Sequence, residues 1–384
     1  MIYLDYNATT PCDPRVVEEM LPYFTNQFAN PSSATHMAGR QAADAVELAR
    51  GRVAQLVASD PRDVIFTSGA TESNNLALYG VARAAQRNGD RRRRIITSAI
   101  EHKAVLDPCQ DLAQEGFDIQ YVPVDSEGFI DLERLQSLLT SDTLLVSIQA
   151  ANSEIGTIQP IADISEVSGK AGAFFHCDAT QAVGRVDIDW QNLPIDLISF
   201  SSHKLYGPKG AGALIAQRAV RQRHLSPLLR GGGQESKLRA GTQNVPAIVG
   251  FGAACNILKS EAWQETEEAS KLRDYFEDML LKNVSDVIFN GKLNKRLPNT
   301  SSVMIKGIEA DALIANLPNF ALSLGSACNS GAIEPSYVLL SLGLSRSSAE
   351  STFRVSMGRW TTKDQISEFV LAIADASRRL LSLQ

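Results

Sequence analysis

A chain of 384 residues with 44% apolar side chains is long enough to bury two cores, and a formal charge of −6 without long charged blocks suits neither nucleic acid nor an anionic membrane. No run of about 18 uncharged apolar residues occurs, and the opening MIYLDYNATTPCDP lacks a basic stretch ahead of an apolar one, so no membrane span or signal peptide is expected. Five cysteines (Cys12, Cys109, Cys177, Cys255 and Cys328) are widely spaced without a CxxC pair, which argues against disulfides and zinc and fits a cytoplasmic protein that handles a small molecule.

Ala42, Val46, Ala49, Val53 and Leu56 recur at helical spacing and predict a helix over HMAGRQAADAVELARGRVAQLV (36–57). DVIFTS (63–68) then reads as a strand and ESNNLALYGVARAAQR (72–87) as a helix. RRRR (91–94) reads as a solvated turn before the next strand. Further strands follow in RIITSAI (94–100), TLLVSIQA (143–150), AFFHCDA (173–179), DLISFSS (196–202) and GALIAQ (212–217). This alternation predicts an α/β fold with a mostly parallel sheet wrapped by helices. Beyond about residue 255 come a charge-rich helix (260–283), a strand in SSVMIKG (301–307) and a last helix. Thr362 and Gln365 have capping-box spacing at its start, and Ile366, Phe369, Val370, Ile373 and Leu380 share one face. The expected division is a large domain over 16–255 and a smaller α+β domain over 1–15 and 256–384.

FTSGATESNN (66–75) ends a strand in small and hydroxylic residues and opens a helix, so free backbone N–H groups at a positive helix end suit a phosphate; Ser and Thr there are equally ordinary caps. Asp178 stands where an apolar strand meets a polar turn, as a helix cap or as the partner of a cationic ring nitrogen. Lys204 follows a strand end and Ser-Ser-His; such a lysine is solvated, or, when partly buried, loses basicity and forms a Schiff base. Together the three meet the requirements of pyridoxal phosphate.

In that light the chain resembles the cysteine desulfurases of the NifS/IscS kind, which share the aminotransferase-like fold of pyridoxal-phosphate enzymes. The motifs YLDYNATTP, FTSGATESNN, EHKAVL, ANSEIG, HCDATQAVG, SSHKLYGPKG, RAGTQNV, GSACNSG, EPSYVL and FRVSMGRW run nearly end to end in the family's order. The resemblance implies a seven-stranded large domain and a small domain whose loop, about 323–336, carries the catalytic cysteine. It makes Lys204 the Schiff-base lysine, His102 the imidazole stacked on the ring, Asp178 the partner of the ring nitrogen and Gln181 that of the phenolic oxygen. Ala70, Thr71, Ser201 and His203 would hold the phosphate, and Thr242 would reach the phosphate of the other subunit of a homodimer. Arg354, aided by Asn152, would bind the substrate carboxylate. His102 as a plain strand-end histidine, Asn152 as a turn former and Arg354 as half of a structural salt bridge remain readings of the residues alone. His36, His176, His224, Cys12, Cys109 and Cys177 read as structural.

The implied reaction turns L-cysteine into L-alanine, with Cys328 taking the sulfur as a persulfide for an acceptor protein. Small and polar neighbours, including Gly325, Ser326, Ser330 and Gly331, suit an exposed thiol able to ionise. Two departures from the family pattern stand out: Ser153 within ANSEIG, and Leu324 before the cysteine. The sequence ends at Gln384 after the last helix, where housekeeping desulfurases carry a further tail, so acceptors in tRNA thiolation or DNA phosphorothioation stand beside an iron-sulfur scaffold. The alternatives are a selenocysteine lyase or aminotransferase of the same fold, and a non-catalytic sulfur-relay protein.

Overall fold

The computed structural model describes residues 1–291, 295–324 and 334–382. The strands are β1 (Ile2–Tyr3), β2 (Val64–Thr67), β3 (Arg94–Ser98), β4 (Asp118–Val122), β5 (Thr143–Gln149), β6 (Phe174–Asp178), β7 (Leu197–Ser201), β8 (Gly212–Ala216), β9 (Val287–Asn290), β10 (Thr300–Ile305), β11 (Phe320–Ala321) and β12 (Thr352–Ser356). Seven form one sheet in the order β2-β8-β7-β6-β5-β3-β4, in which only β8 runs against its neighbours. The expected mostly parallel sheet is therefore present. Every residue of β5, β7 and β8 is buried, as a sheet covered on both faces requires. The one strand of this sheet without an apolar run is β4, an edge strand in which only Val122 is buried.

Because six of these strands point the same way, the ends of β2, β3, β5, β6 and β7 emerge together along one edge, the usual ligand-binding side of such a sheet. β8 starts at that edge, with Gly212 between Thr67 and Ser201. A Cβ at Gly212 would lie 2.6 Å from the Gly69 Cα, so only glycine lets the turn after β2 lie down on the sheet.

A second sheet, β12-β10-β9, is antiparallel, and β1 pairs with β11 in parallel beside it. Its core holds Leu4, Phe276, Phe353 and Phe369, with Phe369 stacked on Phe276 at 5.7 Å and tilted against Phe320 at 5.0 Å. Burying such a ring stabilises the fold by roughly 1.5–3 kcal/mol. The helix Val245–Asn283 serves both cores: Phe251, Cys255 and Leu258 pack against the large sheet, Phe276 and Leu280 against the small one. The division expected at 255 thus falls inside one continuous helix. Among the described residues no helix is long and apolar enough to cross a membrane.

The last helix, Lys363–Leu381, begins with the expected capping box: Gln365 N–H donates to Thr362 Oγ1 at 3.3 Å, and Thr362 N–H donates to Gln365 Oε1 at 3.0 Å. Thr362→Ala should cost about 1 kcal/mol in urea unfolding while Thr362→Ser keeps most of it. Equal losses in the two variants would show that the hydroxyl is not what holds this helix start.

Candidate active site

A cavity of about 1480 Å³ opens along the strand-end edge of the large sheet. Ala70, Thr71, His102, Asn152, Asp178, Gln181, Ser201, His203, Lys204 and Arg354 all line it, so most of the residues singled out in the sequence converge there. Thr242 does not reach it and stands exposed, in a segment tied to the cavity's edge by the Arg239–Glu72 ion pair at 2.9 Å. Cys328 and the rest of 325–333 lie outside the described residues.

At one end the helix Ala70–Arg87 starts after Gly69 with no side-chain cap, leaving the first-turn N–H groups to the cavity wall. Ser201 Oγ, buried at the end of β7, has no partner among the described residues. An open helix start beside an unanswered buried hydroxyl suits a phosphate. His203 stands next to it, its Nδ1 3.0 Å from Thr9 Oγ1; burial, then Lys204, Lys209 and Arg185, hold its imidazole down to about 4 and hence neutral.

Asp178 ends β6, 6% exposed, and accepts from Asn74 Nδ2 at 2.7 Å and from the Thr180 N–H at 3.0 Å. Two donors fix this carboxylate at the cavity floor. Two residues earlier on the same face, His176 is sealed between Ser147 Oγ at 2.8 Å and Ser199 Oγ at 2.9 Å, and burial lowers it to about 4, which makes it the structural histidine expected.

Lys204 lies in the short turn after β7, where its amine donates to the Asn7 and Ala8 carbonyls, the latter at 2.8 Å. Burial, then Arg185 and Arg354, lower the amine to about 7, against the pull of Asp5 and Asp178. The Asn7 carbonyl also accepts from Gln181 Nε2 at 3.0 Å, and the Gln181 oxygen accepts from Arg185.

His102 caps the helix Lys103–Gln114, its Nδ1 accepting the Ala104 N–H at 3.0 Å. In the neutral ring the proton is therefore on Nε2. Glu101 beside it is fully buried, accepts from Ser98 Oγ at 2.7 Å and from the Gln149 N–H at 3.0 Å, and its second oxygen has no partner among the described residues. Burial pushes this carboxyl up to about 8.

Arg354 in β12 donates to Asp5 Oδ1 at 2.6 Å and to the Ser153 carbonyl at 3.0 Å. Asn152 uses its side chain on the backbone, donating to Ile100 O at 3.0 Å and accepting the Glu154 and Ile155 N–H groups, which is the bonding of a turn former. Described residues on either side of 325–333 are anchored at this cavity. Ser323 pairs with the Arg354 backbone, Ser336 Oγ donates to the buried Glu154 carboxylate at 2.5 Å, and the Tyr337 hydroxyl donates to Glu101 O at 2.5 Å.

Asp5, Asn7, Asn74, Glu101 and Arg185 were not singled out from the sequence. Asp5, Asn7, Asn74 and Glu101 sit inside YLDYNATTP, FTSGATESNN and EHKAVL, so the motifs marked the neighbourhood without assigning the roles.

The family model for "Aminotransferase class-V" matches residues 2–369. The chain belongs to the class-V aminotransferase family. Within that family it is 45% identical over 382 residues to the cysteine desulfurase IscS of Rickettsia bellii (strain OSU 85-389), covering 100% of this chain and 92% of that relative. A solved NifS-like protein superposes with a TM-score of 0.91 at 37% identity, covering 98% of this chain and 99% of the other. A solved structure described as "SspA in complex with cysteine" superposes with a TM-score of 0.83 at 37% identity, covering 94% of this chain and 100% of that one. Class-V aminotransferases of the cysteine desulfurase group depend on pyridoxal phosphate.

Glu101 gives a pH signature. Its folded value of about 8 lies above its ordinary 4.5, so the folded state keeps a proton that the unfolded state gives up, and stability falls as pH rises from 4.5 through about 8. Glu101→Gln should flatten that fall in urea unfolding followed from about pH 5 to about pH 9. An unchanged slope would show that the carboxyl ionises freely.

Proposed function

We propose that this chain is a pyridoxal-phosphate-dependent cysteine desulfurase that converts L-cysteine to L-alanine and takes the sulfur onto Cys328 as a persulfide. The observation that carries the reading is the Lys204 amine, lowered to about 7 at the same cavity wall as Asp178 and the open start of helix Ala70–Arg87. The N–H groups of Ala70 and Thr71, with Ser201 and His203, would hold the cofactor's phosphate; Asp178 would face its ring nitrogen, Gln181 its phenolic oxygen, and His102 its ring. The exposure of Thr242 fits a role at the phosphate site of a second copy in a homodimer.

When bound, pyridoxal phosphate supplies an aldehyde that takes up the substrate amine and a ring that draws electrons from the α-carbon. Lys204, near-neutral in charge at physiological pH, serves as the base that accepts the α-proton. Asp178, fixed by Asn74 and the Thr180 N–H, presents its carboxylate at the cavity floor. Arg354, already oriented by Asp5 and Ser153, binds the substrate carboxylate. With Nδ1 occupied, His102 moves a proton at Nε2. The Cys328 thiolate attacks the substrate sulfur: an S–S bond forms, the C–S bond breaks, and its electron pair stays on the carbon skeleton, which takes up a proton to become alanine.

The other cysteines support this choice of nucleophile. Cys109, Cys177 and Cys255 are buried, and burial pushes the thiols of all four described cysteines, Cys12 included, upward. The sulfur would pass from Cys328 to an acceptor protein of an iron-sulfur, tRNA-thiolating or DNA-modifying system.

Lys204→Ala should lose the visible absorbance of the bound cofactor and at least ~10²-fold of alanine production. Cys328→Ser should keep the absorbance and drop alanine production from cysteine to background. Wild-type production in Cys328→Ser would overturn the role given to that residue.

A further inference from the structure

Arg185, in the turn after β6, carries a charge that the proposed chemistry does not use. One amino group donates to the Gln181 side-chain oxygen and lies 3.5 Å from Asn7 Oδ1, while the other donates to the Lys204 carbonyl at 3.1 Å. All three partners are neutral oxygens, and among the described residues no carboxylate pairs with this guanidinium. The other cation beside Lys204, Arg354, is answered by Asp5 at 2.6 Å. A half-buried positive charge with no direct counter-ion among the described residues extends its field to nearby titratable groups, and it disfavours a second cation there.

We infer that Arg185 is a positioning residue for Lys204: it fixes the Gln181 amide and the Lys204 main chain, and its charge keeps the lysine amine neutral and able to attack a carbonyl. The inference rests on the reading of Lys204 as the Schiff-base lysine. The groups that face this amine are Arg185 from the turn after β6, Arg354 from β12, Asp5 from the N-terminal segment, Asp178 from β6 and the adjoining His203. After burial, Arg185 is the largest influence lowering the amine to about 7; Arg354 acts the same way, and Asp5 and Asp178 oppose it. Since the lysine is charged below its midpoint and neutral above it, loss of the Arg185 charge raises the midpoint and depletes the neutral amine at physiological pH.

The test uses the full chain freed of cofactor and labelled competitively with acetic anhydride across pH, with the Lys204 peptide read by mass spectrometry. Wild type should show a midpoint near 7. Arg185→Gln should move it up by at least about one unit, and Arg185→Lys should stay near wild type because it keeps the charge. A wild-type midpoint near the ordinary 10.5, or an Arg185→Gln midpoint equal to wild type, overturns the inference. Should Arg185→Gln fail to fold by circular dichroism, the other two proteins decide it. Matching midpoints near 7 support the charge effect, and an Arg185→Lys midpoint near 10.5 contradicts it. Cofactor binding is followed separately by absorbance. Wild type that titrates near 7 yet takes up no pyridoxal phosphate would sink the proposed function and leave the Arg185 effect standing.

Discussion

One main-chain oxygen, the carbonyl of Asn7, accepts hydrogen bonds from both the Lys204 amine and the Gln181 amide. Its residue is also held from the small sheet, where Asn7 N–H donates to Ser356 Oγ at 2.9 Å and Asn7 Nδ2 to Thr300 Oγ1 at 2.8 Å, and from the loop after β5, where Asn7 Nδ2 donates to the Ser153 carbonyl at 3.0 Å. The N-terminal segment therefore leaves β1, crosses the strand-end edge of the large sheet and fixes the lysine on the way. Neither sheet alone would make the site. The small one supplies Arg354 and the strap, and the large one supplies Asp178, Ser201 and the turn that carries Lys204.

Charge is distributed unevenly over this junction, and the unevenness is what makes chemistry possible. Arg354 has its carboxylate in Asp5, Asp178 has two neutral donors, Glu101 is forced toward its protonated form, and Arg185 has, among the described residues, neutral oxygens as its hydrogen-bond partners. The outcome is a lysine brought down to about 7 beside a carboxylate held by two neutral donors. Environment, rather than residue type, separates the two roles.

Much of this was legible in the sequence, for reasons that can be named. Buried strands such as β5 and β7 betray themselves by unbroken apolar runs, and Thr362 with Gln365 announced a helix start because a capping box needs only local spacing. β4 went unread because an edge strand may be polar, and DIQYV has a single buried residue. The boundary at 255 follows a change of composition, but composition changes along Val245–Asn283 because the helix passes from one core to another. Asn152, read as aiding Arg354 with a turn former as the alternative, has its amide bonded to three backbone groups, which its sequence neighbours do not announce. Arg185 was silent for another reason: a lone arginine after a strand is ordinarily a solvated charge, and only the tertiary fold sets it against Gln181 and Lys204.

The account turns on sulfur leaving cysteine for Cys328, a residue flanked in sequence by Ser323, Ser336 and Tyr337, which are anchored to Arg354, Glu154 and Glu101. The direct measurement is to incubate the cofactor-loaded protein with L-cysteine, block its thiols and map all five cysteine-bearing peptides by mass. The account predicts one added sulfur atom on the Cys328 peptide, formed in step with alanine and absent in Lys204→Ala. Alanine formed with Cys328 unmodified, or the added sulfur on Cys12 instead, would contradict it.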